Sequence, residues 1–185
     1  VATGKNATAS GANTIAIGNA ANAAGTDSIA TGRQAATTGS NAIATGADSS
    51  AANNASAYGN KAKATGGWSS AFGNESKAAA ADASAFGNTA TAAAQDSTAI
   101  GAHSSVTSVA TGGTALGRSS SVTTAGGVAL GQGSASTRAA LDGKNITISS
   151  EGSVVSSNHI TDDDSRNNNS NDVYAPVKLI NDPNT

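Results

Sequence analysis

Along most of the chain, large apolar and small residues alternate for a few positions, end on a glycine, and return about fourteen residues later. The repeating glycines are Gly4, Gly18, Gly32, Gly46, Gly59, Gly73, Gly87, Gly101, Gly117 and Gly131. Every step between them is 14 residues except two: 13 from Gly46 to Gly59 and 16 from Gly101 to Gly117. A period that survives this many steps marks stacked copies of one small structural unit.

Two residues before these glycines stands alanine without exception, at Ala2, Ala16, Ala30, Ala44, Ala57, Ala71, Ala85, Ala99, Ala115 and Ala129. Four before, the residues are again small: Thr14, Ser28, Ala42, Ala55, Ser69, Ala83, Ser97, Gly113 and Gly127. One or three before lie the bulky residues Ile15, Ile17, Ile29, Ile43, Tyr58, Phe72, Phe86, Ile100, Leu116, Val128 and Leu130. A period of two with different chemistry on its two faces predicts a strand, with the alanines turned into a roll and the bulky residues turned out of it.

The second half of each repeat alternates too. Small residues stand three and five after the glycine (Ala7 and Ala9, Ala21 and Ala23, Ala62 and Ala64), interleaved with Thr8, Asn22, Ala36, Ser50, Lys63 and Lys77. Gly11, Gly25, Gly39 and Gly66 mark a second corner, where positive φ or a close backbone approach is expected. Each coil therefore reads strand, turn, strand, turn. The fold class is all-β, a parallel β-solenoid or β-roll of ten 14-residue coils with two short strands each, over residues 1–136.

Composition agrees with a narrow roll. Leu, Ile, Val and Phe together number 24, against 42 Ala and 22 Gly, too little bulk for an ordinary globular interior. With only 12% charged residues and a net charge of −2, the chain also lacks the charge that accompanies disorder. It lacks the basic stripe that nucleic acid would require. Without cysteine neither a disulfide framework nor a thiolate metal site can form. The absence of methionine and a first residue in mid-repeat lead us to expect a segment of a longer chain.

The outward apolar stripe is the feature that a single chain cannot satisfy. Covering each bulky residue is worth ~1.5–3 kcal/mol, while an Ala-filled interior offers little against an ordering cost of ~1–2 kcal/mol per residue. Sister chains closing rotationally around the stripe are the economical cover. Sequence arithmetic leaves two and three chains equally open.

Repeats such as Thr14-Ile15-Ala16-Ile17-Gly18, Ser97-Thr98-Ala99-Ile100-Gly101 and Gly127-Val128-Ala129-Leu130-Gly131 resemble the YadA-like head of trimeric autotransporter adhesins. The resemblance covers about residues 1–136. It implies a homotrimer of left-handed parallel β-rolls, with the eleven bulky residues on the shared axis and Ala16, Ala30, Ala44, Ala57, Ala71, Ala85, Ala99, Ala115 and Ala129 inside each roll. It further implies a bacterial cell-surface protein that attaches to host cells, extracellular matrix or other bacteria. Outer-membrane anchoring would come only from parts of the parent protein absent here. A trimeric phage tail-fibre segment and an ice-binding solenoid are the alternatives; the latter wants a regular Thr ladder, which the mixed outward column does not supply.

Beyond Ser136 the period stops. Residues 145–149 and 153–156 alternate as two short strands that would cap or connect the roll across 137–160. A polar run from Asp162 to Asp172 follows within 161–185, then Asp172-Val173-Tyr174-Ala175-Pro176-Val177-Lys178-Leu179, which keeps only the Asp and Leu spacing of a neck motif. The acidic run places Arg166 where a calcium loop needs oxygen and lacks its glycine and terminal Glu, so it reads as a solvated loop. His103 and His159 stand far apart without a partner for acid–base work. No Gly-rich stretch is followed by the Lys-Ser/Thr pair of a phosphate loop. No catalytic, cofactor or metal site is expected, and the chain is read as a binding protein rather than an enzyme. Trp68, at a corner near Phe72, is read as packing at the end of the apolar stripe or as a partner contact. Lys61, Lys63 and Lys77 are read as solubilising charge or as an attraction for acidic polymers.

Overall fold

The computed structural model describes residues 1–137, together with the backbone of two later strands. Its contacts divide the chain into two units, Val1–Ala140 and Leu141–Thr185. In the first unit two parallel sheets of ten strands each run the length of the stack. One is made of the strands that end at the repeat glycines, from Ala2–Thr3 and Ile15–Ile17 through Ser70–Phe72 to Val128–Leu130. The other is made of the intervening strands, from Thr8–Ala9 through Lys63–Ala64 to Ala135–Ser136. Successive coils pair in strict register, Ala71 against Ala85 and Phe72 against Phe86, so equivalent residues form columns.

Neither irregular spacing disturbs those columns. Across the 13-residue step Ala44 still pairs with Ala57, and across the 16-residue step Ala99 still pairs with Ala115. Both length changes fall in the second corner, the turn that leads into the glycine-terminated strand. A register slip of one would have turned every bulky residue into the roll. At the shortened corner Asn53 bridges the gap: its Oδ1 accepts from the Ser40 N–H at 2.9 Å and its carbonyl from the Trp68 N–H at 3.1 Å.

The first corner keeps one length at every step, and its backbones lie in close contact. Gly73 has φ +134°, and a Cβ on it would lie 2.4 Å from the Gly87 carbonyl oxygen. At the second corner Gly11, Gly25, Gly39 and Gly66 answer to proximity: a Cβ on Gly25 would lie 1.9 Å from the Gly39 carbonyl oxygen, without the positive φ that was the other expectation, whereas Gly112 and Gly126 have φ +66° and +64° and open space. Each coil also holds two residues near φ +55°, such as Ala20 and Asp27.

The interior is alanine with serine at the corners. Ala16, Ala30, Ala44, Ala57, Ala71, Ala85, Ala99, Ala115 and Ala129 are all buried, whereas Ala2, in the terminal coil, is exposed. The buried serine hydroxyls are satisfied by corner carbonyls. Ser28 and Ser69 donate to Gly25 and Gly66 at 2.6 and 2.7 Å, and Ser49 and Ser76 donate to Gly46 and Gly73 at 2.8 and 3.0 Å. Where the second strand brings Val106 and Val122 inward, the facing positions are Gly113 and Gly127; a Cβ there would come within 3.0 and 2.9 Å of valine methyls. Volume is conserved across the roll.

In the second unit the strands expected at 145–149 and 153–156 form an antiparallel pair, Ile146–Ile148 with Val154–Ser156. The cap or connector role, the acidic run, His159 and the neck-like segment lie outside the described residues.

Candidate assembly and binding surfaces

The outward face of the first sheet carries two columns, three residues and one residue before each glycine. In the earlier coils bulk stands in the first column, at Ile15, Ile29 and Ile43, and the second column holds Thr31 and Thr45. From the coil of Gly59 onward the bulk crosses over. Tyr58, Phe72, Phe86, Ile100 and Leu116 occupy the second column, while Ser56, Ser70, Ser84, Thr98 and Thr114 fill the first. Ile17 and Val128 with Leu130 complete the ladder at coils where both columns are apolar or nearly so.

Parallel register stacks the rings. The Tyr58 and Phe72 centroids lie 4.8 Å apart and those of Phe72 and Phe86 4.9 Å apart, with interplanar angles of 17° and 4°. Ladder neighbours above and below half-bury Ile15, Ile29, Ile43, Tyr58 and Phe72, whereas Ile17, Phe86, Ile100, Leu116, Val128 and Leu130 remain exposed. Leu130 is 70% exposed. One continuous apolar strip thus faces solvent along a single chain, larger than scattered surface residues would make.

The outward column of the second sheet is chemically different: Thr8, Asn22, Ala36, Ser50, Lys63, Lys77, Thr91 and Ser105 follow one another in register. Lys63 and Lys77 are direct ladder neighbours, and with Asp48, Lys61, Glu75 and Ser76 they line a trough. Lys61 is paired with Glu75 at 3.3 Å, and Arg33 with Asp48 at 2.5 Å. Beside the aromatic stack runs a row of amides in which Asn88 donates to Asn74 and Asn74 to Asn60, at 3.1 and 3.2 Å. This amide row was not recognised in the sequence, although the triplets Tyr58-Gly59-Asn60, Phe72-Gly73-Asn74 and Phe86-Gly87-Asn88 announce it.

Two large apolar residues stand exposed at the second corner, off the strip: Trp68 at 66% and Val109 at 71%. Each belongs to an irregularity, Trp68 directly above the shortened corner and Val109 within the lengthened one. His103 Nδ1 lies 2.7 Å from Thr89 Oγ1. Among the described residues no group of three His, Cys, Asp or Glu could hold a metal ion.

A parallel β-solenoid with a polar sheet, an apolar sheet and a first corner of constant length is a repeat scaffold. The YadA head domain repeat matches residues 1–21, 9–35, 23–49, 78–104 and 108–134, which together span more than half of the chain, and the chain belongs to that family. Membership implies an adhesin-like role in a surface-exposed autotransporter passenger. Residues 50–77, which hold the shortened corner, the lysines and Trp68, fall between the matched stretches. No curated protein matches the chain.

Proposed function

We propose that this chain is an adhesin head that works as a homotrimer of β-rolls, each presenting its apolar strip to the common axis and its polar sheet and corners to the surroundings. The observation that carries the reading is the asymmetry between the sheets. The first sheet's outer face is a ladder of Ile, Tyr, Phe and Leu; the second's is Thr, Asn, Ser and Lys. Leaving the first wet forfeits ~1.5–3 kcal/mol per bulky residue, and a family of trimeric heads supplies the closed symmetry that covers it.

In this reading Ile15, Ile17, Ile29, Ile43, Tyr58, Phe72, Phe86, Ile100, Leu116, Val128 and Leu130 form the interface. Residues 1–136 are the head, 137–160 a connector, and 161–185 a polar loop leading to a neck-like end. Attachment to host cells, matrix or other bacteria is by repeated surface columns and corner residues, without catalysis. Sedimentation equilibrium tests the assembly: a mass of three times 17.5 kDa is expected, and a stable monomer would overturn it. Beads coated with the chain are expected to adhere to immobilised matrix proteins or bacterial cells, and inert beads across both would remove the adhesive role.

A further inference from the structure

We infer that Trp68 is an intersubunit clamp whose indole covers the Tyr58, Phe72 and Phe86 ring stack of the neighbouring copy. The inference rests on the self-association proposed above and adds to it a specificity-determining contact in the stretch that the family repeat does not match.

Trp68 breaks a rule that the other coils keep. The position five before the repeat glycine is held near φ +55 to +65° throughout, and it is occupied by Asn13, Asp27, Asn41, Asn54, Asp82, Asp96, Gly112 and Gly126. These are the residue types that tolerate a left-handed backbone. Trp68 adopts φ +54° in the same column, a conformation foreign to a bulky side chain, and keeps most of its surface in water. The Asn53 carbonyl holds its backbone N–H at 3.1 Å, but the side chain is left mostly exposed, and a bulky residue kept at such a position points to a contact made elsewhere.

Symmetry supplies that contact. All strands of the first sheet run parallel, from the second corner to the first. Its upstream edge therefore carries Trp68, and its downstream edge carries the second column. Rotation about an axis along the stack brings the upstream edge of each copy against the downstream edge of the next, at equal heights. Trp68 belongs to the coil of Phe72, the middle ring of the stack. Its own Phe72 is four residues on, across the end of the turn, and stacks instead on Tyr58 and Phe86.

The surroundings of the two partners are complementary. Where the bulk crosses to the downstream column, the upstream column is reduced to Ser56, Ser70 and Ser84, and the upstream edge would be thin. Trp68 restores bulk on that edge at that height. In the earlier coils Ile15, Ile29 and Ile43 stand upstream themselves, and their corners keep Asn and Asp, as do the crossed coils at Asn54, Asp82 and Asp96, so the bulk returns only at the height of the middle ring.

Trp68 is the only tryptophan in the chain, so its emission reports this contact alone. In the assembled full chain it is expected to emit at shorter wavelength than free indole in water and to be several-fold less accessible to acrylamide. Trp68→Asn, which gives the column its usual residue, is expected to keep the β circular-dichroism spectrum and to raise the concentration at half-assembly by about tenfold or more. The combination with Phe72→Ala is expected to cost less than the sum of the two changes. An assembled chain whose indole is freely quenched, or whose Trp68→Asn variant assembles as tightly, overturns the clamp and leaves the assembly standing; Trp68 would then face an outside ligand. A chain that stays monomeric at every concentration removes the assembly on which the clamp depends.

Discussion

Replacing Gly73 by Ala tests the packing at the first corner, and its cost can be built from the geometry. The added Cβ would stand 2.4 Å from the Gly87 carbonyl oxygen and 2.7 Å from its carbon. Restoring ordinary contact requires the two coils to part by about 1 Å at that corner, beyond what packed interiors absorb cheaply. The bonds bridging the coils there are Gly87 N–H to Phe72 O and Thr89 N–H to Asn74 O, both 2.8 Å, each worth ~0.5–1.5 kcal/mol. Holding alanine at φ +134° adds ~1–3 kcal/mol, for a total of about 2–6 kcal/mol. Gly126→Ala is the control, because Gly126 has φ +64° and nothing lies within 4 Å of a Cβ there; ~1–2 kcal/mol of left-handed strain is its whole cost. Both substitutions restrict the unfolded chain equally, so that contribution cancels in the comparison. Urea unfolding followed by far-ultraviolet circular dichroism at one fixed chain concentration measures the difference. If Gly73→Ala unfolds within about 0.5 kcal/mol of Gly126→Ala, the coils are not in tight contact at that corner and the reasoning is wrong.

Phe72→Asp places like charges without partners around the proposed axis, so sedimentation velocity should find separate chains; an intact trimer would refute the interface. Ser69→Ala removes the hydroxyl that satisfies the Gly66 carbonyl at 2.7 Å and should destabilise by ~1–3 kcal/mol in the same urea assay, a loss that an unchanged midpoint would deny. Thr107 Oγ1 is buried without a hydrogen-bond partner at the lengthened corner, so Thr107→Val, of similar shape, should leave the thermal midpoint unchanged or raise it, and a clear fall would mean that the hydroxyl is satisfied in solution.

The two corners explain how such a scaffold diversifies. The first corner keeps one length at every coil, while the deletion, the insertion and the exposed Trp68 and Val109 all fall at the second. In the proposed reading, partners are met at the tolerant edge and in the outward columns, while the inner columns keep the register that aligns them.

Much of this protein was legible in its residues. The glycine period, the invariant alanines and the alternation around them require parallel coils, a narrow interior and one apolar outer face, because spacing and side-chain size are sequence properties. The bonds of the amide row were not legible, although its triplets are, since they need residues fourteen apart placed side by side. The left-handed residues two after each glycine were hidden too: Ala20, Gln34, Lys61 and Glu75 carry no compositional signal, and the ladder bonds around them impose the conformation. Only the tertiary structure decided that Gly11, Gly25, Gly39 and Gly66 answer to proximity rather than to positive φ, and that Trp68 projects from a strained position instead of packing on its own strip. Those outcomes depend on where the next coil lies, a distance that no single repeat contains.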